Sequence, residues 1–511
     1  MVSRTSRKPL SLMAWILVLL MAAIVRFQLA WRFPCCVTGD TKVYVRLAEN
    51  ILDYRTYSLD PAPPHSATSI RMPGYPIFLA AVYSLQRSND LVRVVQALID
   101  TATIVLVAIL AMHWVPAERQ KPTAALAALV LMALCPVTAI FVGALLTETL
   151  FTFLLVATAL AATLAVKAPR YRSWAMFAAG LLCGIATLVR PEGGLLGAGV
   201  GVVFGLTTAR LFEDQPVGAT RFAEPRAILQ LAAFCLAFGM SVGPWVTWTM
   251  LNSKWPLPSP HTVLPDGVVP YGYYAWLRTW VKDDRQTDAL IWALGSRAIM
   301  ISEIPDDAFD SQDERARVAS LLHRHNESST YRGKERASPF SASLTAAGIA
   351  RLNMPDDASA DNPILWTMSP FEDAEFEKLA RERITRHPLR YYLWLPARRV
   401  SEMWLNSHTD YYRLDLGLWV RAFHALVAVY TTLALIGAYK LIVSRSKGLR
   451  WFVLVSLLAV PRLLLISMLE NPEPRYVVPL FPLAIALGGV AIASVRCRTG
   501  TRAEGVAERR V

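Results

Sequence analysis

Long apolar runs alternate with short polar connections up to residue 252, a polar stretch occupies 253–416, and apolar runs return until residue 496. A helix needs about 20 apolar residues to cross a hydrocarbon core of about 30 Å. Ten runs meet that length: 11–33, 90–112, 121–142, 146–166, 173–190, 193–210, 226–252, 417–440, 450–470 and 475–496. A shorter run, 75–86, is bounded by Pro73-Gly74 and Pro76 and predicts a re-entrant or interfacial helix. In 38–54, Val43, Leu47 and Ile51 recur with Tyr44 and Ala48 on one face, which predicts an amphipathic helix lying on the membrane surface. Within 253–416 the clearest rhythm is Phe376, Leu379, Ala380 and Ile384, a helix that should stop at His387-Pro388.

Composition agrees with this pattern. Hydrophobic residues make up 54% and charged residues 18%, against about 25% charged in soluble proteins. That excludes a disordered chain and an ordinary soluble enzyme. Six cysteines without zinc-type spacing, and none within 253–416, exclude a disulfide-stapled domain. Arg4, Arg7 and Lys8 precede the first run as in a signal peptide, but no small-residue cleavage site follows, so the run is expected to stay as a span.

Placing the N-terminus inside puts 20 Lys and Arg in the inner flanks against 7 in the short outer loops. Segment 253–416 then lies outside with 20 basic and 23 acidic residues, so the net charge of +13 belongs to the membrane-flanking parts. Nucleic-acid binding loses its support. The expected fold is an α-helical polytopic membrane protein of about ten transmembrane helices, with an interfacial helix in the first outer loop and a small mixed extracytoplasmic domain. The expected divisions are an N-terminal membrane module 1–252 containing the first outer loop 34–89, the extracytoplasmic domain 253–416, a C-terminal membrane module 417–496 and a cytoplasmic tail 497–511. An excess of arginine over lysine, 42 to 10, suggests a bacterial source and hence the cytoplasmic (inner) membrane, with both termini cytoplasmic.

Candidate chemistry gathers at the outer ends of the spans. Asp40 opens the amphipathic helix, where it is either a cap or a general base. Arg71 precedes Met72-Pro73-Gly74-Tyr75-Pro76; Glu148 opens the fourth span; Arg190 and Glu192 flank Pro191 in a very short outer loop; Glu470, Glu473, Arg475 and Tyr476 lead into the last span. Arg462 lies inside its span beside Pro461, near the same end. Each has a plain alternative account as a cap, a turn or a local ion pair. Their convergence on one face predicts an outward-facing polar cavity suited to an anionic lipid headgroup and an acid/base reaction. Arg26 and Asp100 are read as a structural pair between the first two spans.

The order of these motifs resembles the GT-C membrane glycosyltransferases, among them the dolichyl-phosphate-mannose protein mannosyltransferases and the lipid A aminoarabinose transferases. The likeness is carried by Gly39-Asp40-Thr41-Lys42-Val43-Tyr44, Arg71-Met72-Pro73-Gly74-Tyr75-Pro76, Thr147-Glu148-Thr149-Leu150-Phe151, Arg190-Pro191-Glu192, Gly243-Pro244-Trp245 and Arg475-Tyr476-Val477-Val478-Pro479-Leu480. His387-Pro388 with Tyr391-Tyr392 is similar to the helix that closes the family's extracytoplasmic domain. Two departures stand out: Asp40 is followed by Thr41 where many members have an acidic pair, and no arginine follows Pro244-Trp245 within the seventh span.

The resemblance implies an inverting transferase that moves a hexosyl or pentosyl group from a polyprenyl-phosphate donor to a hydroxyl on a lipid, glycan or protein acceptor. It implies Asp40 as catalytic base and Arg71, Tyr75, Glu148, Arg190, Glu192, Arg475 and Tyr476 as donor phosphate or sugar contacts. The carboxylates could also hold a divalent cation such as Mg²⁺. Two other classes compete: a transporter or flippase of a lipid-linked sugar, whose charged groups should lie at the midplane of repeated broken helices, and an O-antigen polymerase or ligase, which does not need the Asp40 loop.

Overall fold

The computed structural model describes residues 8–32, 39–65, 67–69, 71–208, 225–252, 263–264, 267–291, 294, 297–328, 368–405 and 417–507. Cys35, Cys36 and the prolines at 256, 258, 260 and 265 lie outside these residues.

The chain is a multi-pass helical membrane protein. Its first half runs α1 (Lys8–Arg32), α2 (Gly39–Tyr54), α3 (Gly74–Tyr83), α4 (Asn89–Trp114), α5 (Lys121–Ala133), α6 (Pro136–Ala139), α7 (Glu148–Lys167), α8 (Arg172–Val189), α9 (Gly193–Thr208) and α10 (Pro225–Asn252). The polar segment contributes α11 (Tyr271–Arg278), α12 (Asp284–Ile291), α13 (Gln312–Ser328), α14 (Pro370–Arg386) and α15 (Leu395–Leu405). The last apolar part is α16 (Gly417–Val443), α17 (Ser446–Ser467), a 3-10 turn over Pro474–Leu480, and α18 (Phe481–Ala507). The amphipathic helix and the short apolar helix expected in the first outer loop are α2 and α3.

Eight helices among the described residues are long and apolar enough to cross a membrane, and nine if one bent pair counts as a span, against the ten expected. The difference has two local causes. The run 193–210 appears as α9, described over 16 residues, about 24 Å of helix, and so is not counted among the eight. The run 121–142 breaks at Pro136 and bends by 47°. Cys135 is extended there, as a residue before proline prefers, and the helix restarts with proline at its first position.

That break explains Arg26 and Asp100, both fully buried. A helix end leaves backbone carbonyls without partners. Arg26 donates to the carbonyls of Ala133 (2.6 Å) and Met132 (3.0 Å), and the Tyr430 hydroxyl donates to that of Leu131 (3.0 Å). Asp100 holds the remaining side of the guanidinium at 2.9 Å. The pair caps the end of α5 inside the bundle.

Close helix contacts rest on small residues, as expected where apolar surface gives little drive between helices. A Cβ at Gly180 of α8 would lie 2.2 Å from the Phe234 carbonyl oxygen of α10. The polar segment has its own core of Tyr273, Trp276, Trp280 and Phe376. Its described part is helical apart from a hairpin pairing Val263 with Val268. Asp373 of α14 accepts from the first amides of α11, Gly272 (2.7 Å) and Tyr273 (3.1 Å). The segment is fastened to the end of α17 by buried Arg399, which donates to the carbonyls of Ser467 (3.0 Å), Val281 (2.9 Å) and Arg278 (2.6 Å). Arg278 also pairs with Glu470 at 2.9 Å.

Candidate active site

The end of the bundle facing the polar segment holds a continuous network of four arginines and four carboxylates. Asp40 stands in the first turn of α2, a position favourable to a carboxylate. Its oxygens go to two guanidiniums that are remote in sequence. Oδ1 lies 2.5 Å from Arg71 Nη2, and Oδ2 lies 2.9 Å from Arg475 Nη2. Burial pushes the Asp40 carboxyl up, but Arg475 and then Arg71 outweigh it and hold the group below its ordinary value of 3.8.

Local sequence brings Arg71 here. A Cβ at Gly74 would lie 2.7 Å from the Leu188 carbonyl oxygen, so only glycine lets the start of α3 rest on the end of α8. The Arg71 backbone is held by the Tyr57 hydroxyl, which donates to its carbonyl at 3.0 Å. Tyr57 in turn sits edge-on to Trp245 and Trp248, whose rings stack 4.9 Å apart. Arg71 is the most open of the four arginines, with 38% of its side chain exposed.

Arg190 continues the network. It ends α8, where Pro191 stops the helix, and pairs through Nη1 with Glu148 (3.1 Å) and through Nε with Glu192 (2.7 Å). The same Nη1 donates to Thr147 at 3.2 Å. The guanidinium stands over the rings of Tyr476 (5.3 Å) and Phe151 (5.9 Å). Burial works against the Glu192 carboxylate, but Arg190 and Arg462 prevail and hold its pKa at about 2. Arg475 lies 3.9 Å from Glu148 and also pairs with Glu473.

Six of the eight predicted site residues, Asp40, Arg71, Glu148, Arg190, Glu192 and Arg475, therefore share one network. Tyr476 borders it as a ring beneath Arg190, with its hydroxyl 3.4 Å from Glu473. Tyr75 is placed differently. It is fully buried below the network, its hydroxyl donates to Gln96 at 2.8 Å, and Gln96 is fixed by the carbonyls of Val142 and Ala144. A buried hydroxyl needs a partner, and Gln96 is that partner, so Tyr75 supports α3 instead of reaching into the site. Glu470 turns away to Arg278. Arg462, Glu473, Tyr57 and Trp248 belong to the site or its wall and were not among the predicted contacts. Trp248 carries no sequence signal, because one aromatic residue in an apolar helix resembles any other.

Asp40 gives both oxygens to arginine, and Glu148 keeps one, Oε2, buried without a hydrogen-bond partner. Among the described residues no three His, Cys, Asp or Glu side chains are grouped to hold an ion.

Fold and site together define a multi-pass helical membrane protein with a buried arginine–carboxylate site at one end of its bundle. Residues 70–245 match the model of the dolichyl-phosphate-mannose-protein mannosyltransferase family, so the resemblance seen in the motifs is borne out over that segment. The matched stretch contains Arg71, Glu148, Arg190 and Glu192; Asp40 and Arg475 lie outside it. No curated protein matches the chain. Among solved structures, the oligosaccharyltransferase of Archaeoglobus fulgidus in its apo form is 13% identical, with 95% of this chain and 51% of that one covered and a TM-score of 0.41. The same organism's oligosaccharyltransferase AglB, in complex with an inhibitory peptide and a dolichol-phosphate, is 14% identical, with coverage of 97% and 52% and a TM-score of 0.41. The chain spans about half the length of these distant structures.

Proposed function

We propose that the protein is an inverting glycosyltransferase that moves a sugar from a polyprenyl-phosphate donor to an acceptor hydroxyl at the outer face of the cytoplasmic membrane. The observation that carries this reading is the clamping of Asp40 between Arg71 and Arg475, with Arg190 and Glu148 alongside, at the end of the bundle that bears 253–416. Orientation follows from the Lys and Arg bias, 20 inside against 7 outside. In this reading 1–252 and 417–496 form the membrane modules, 253–416 shapes the acceptor side, and 497–511 is a cytoplasmic tail.

The network balances four positive side chains, Arg71, Arg190, Arg462 and Arg475, against four negative ones, Asp40, Glu148, Glu192 and Glu473. An incoming phosphodiester competes with Asp40 for Arg71 and Arg475, since guanidiniums bind phosphate oxygens bidentately. As they shift to the phosphate, Asp40 loses the charges that hold its proton affinity down and becomes a better base. It then takes the acceptor hydroxyl proton while the hydroxyl oxygen bonds to the anomeric carbon. The bond from that carbon to the phosphate oxygen breaks, and its electron pair leaves with polyprenyl phosphate, whose charge the arginines stabilise. One displacement inverts the anomeric carbon. No step is routed through a metal.

A flippase is less well supported, because Arg26 with Asp100, a charged pair deeper in the bundle among the described residues, is occupied in capping α5. The deciding experiment incubates the protein in nanodiscs with polyprenyl-phosphate sugars and a membrane extract as acceptor. Release of free polyprenyl phosphate supports the transferase; translocation without release refutes it.

A further inference from the structure

Arg462 is 1% exposed and sits within α17, five residues before its end, or about 8 Å along the helix. A buried charge inside a span is costly unless it is paired; Arg462 is paired through both Nη atoms, while its buried Nε has no hydrogen-bond partner. Arg462 touches neither Asp40 nor Arg71. Its Nη1 donates to Glu192 Oε1 at 2.9 Å and its Nη2 to the Tyr476 carbonyl at 2.9 Å, while its guanidinium lies 4.8 Å from the Phe151 ring. These contacts tie together the separate pieces that carry Arg190 and Arg475. Glu192 Oε1 also receives Arg190 Nε at 2.7 Å. Tyr476 is the residue next to Arg475 in the 3-10 turn, and Phe151 is on α7 one turn beyond Glu148.

We infer that Arg462 is a positioning residue that sets where Arg475 stands relative to Arg190, and so the placement of Arg475 in the donor-phosphate clamp it forms with Arg71. This rests on the glycosyltransferase reading above. Lysine cannot replace it, because one ammonium cannot span the Glu192 carboxylate and the Tyr476 carbonyl in the fixed fork of a guanidinium. Methionine keeps most of the side-chain length but drops both bonds and leaves Glu192 to Arg190 alone.

The test uses the full chain in nanodiscs and two probes, a C55 polyprenyl phosphate and the matching polyprenol. Their affinity ratio isolates phosphate recognition from tail binding. The wild type should prefer the phosphate. Arg462→Met should cut that preference at least about tenfold, equivalent to 1.4 kcal/mol, while polyprenol affinity stays unchanged. If Arg462→Met does not fold, Arg462→Lys keeps a charge beside Glu192 and should still lose at least about threefold of the preference, some 0.6 kcal/mol. A folded variant with lower thermal stability but the wild-type ratio overturns the inference and leaves Arg462 a structural staple. A wild-type protein without preference for the phosphate overturns the donor reading itself, and this inference with it.

Discussion

Arg475 and Asp40, 435 residues apart in sequence, meet at 2.9 Å through Nη2 and Oδ2. The first outer loop is thereby joined to the turn that opens the last span. Because Arg71 occupies the other oxygen of Asp40, the proposed base is paired on both sides before a donor arrives.

Replacing Asp40 tests that role directly. Asp40→Asn keeps the shape and caps a helix about as well, but its amide cannot accept a proton. Transfer should fall by at least about 10², and polyprenyl-phosphate binding should be no weaker, since a competitor for the two arginines has gone. Acid limbs give a second check. In the free protein the arginines hold the Asp40 carboxyl below its ordinary value, and in the donor complex they are drawn to phosphate. The acid limb of kcat should therefore lie at higher pH than that of kcat/KM for the donor. Near wild-type transfer by Asp40→Asn would remove Asp40 from the chemistry and direct attention to Glu148.

Arg475 should matter through geometry as much as charge. Arg475→Lys retains the charge but cannot reach Asp40 and Glu473 together or present a planar fork to phosphate. Affinity for the lipid phosphate, measured by titration of polyprenyl phosphate, should weaken at least about tenfold. Unchanged affinity in Arg475→Ala would reject the role.

Much of this site was legible because charged residues in an apolar chain are conspicuous. Asp40, Glu148, Arg190 and Arg475 each stand at the end of an apolar run, and runs that alternate in direction bring such ends to the same face. What was not legible depends on distances. Nothing in the chain announces that Arg462 reaches Glu192, 270 residues away, or that Tyr75 of the Pro-Gly-Tyr-Pro turn is drawn down to Gln96. The excess of expected spans has a similar cause: hydropathy counts apolar residues, and it does not see the bend that Pro136 imposes.

The proposed orientation is open to labelling. A cysteine placed by Ser343→Cys in the polar segment should react with an impermeant maleimide in intact cells, as the 20-to-7 inner bias of basic residues requires. Reaction only after permeabilisation would reverse the orientation and place the site on the cytoplasmic side.

Arg26 and Asp100 should affect stability and not chemistry. Asp100→Asn leaves the guanidinium buried with less compensation, and Arg26→Met leaves both the Asp100 carboxylate and the carbonyls of Met132 and Ala133 without it. Breaking a buried pair from one side costs about 3–5 kcal/mol, so Arg26→Met should show a clear fall in melting temperature or in yield. Protein that survives should bind polyprenyl phosphate as the wild type does. A normal melting temperature would mean that water or another group caps the end of α5.

Glu192 gives a stability effect with a defined pH window. Its ordinary value is 4.5 and in the folded protein it is held at about 2, because Arg190 and Arg462 outweigh its burial. A carboxylate whose folded value is depressed stabilises the fold fully above its unfolded value and loses that contribution as pH falls through the folded one. The contribution is therefore complete at neutral pH, declines below about 4.5 and is gone near 2. The interval corresponds to on the order of 3 kcal/mol. Glu192→Gln should lower stability at pH 7 and flatten its dependence between those values, as followed by thermal unfolding in nanodiscs. An equal slope in wild type and Glu192→Gln would show that Glu192 is not held by the two arginines, and the link from Arg462 to Arg190 would lose its middle member.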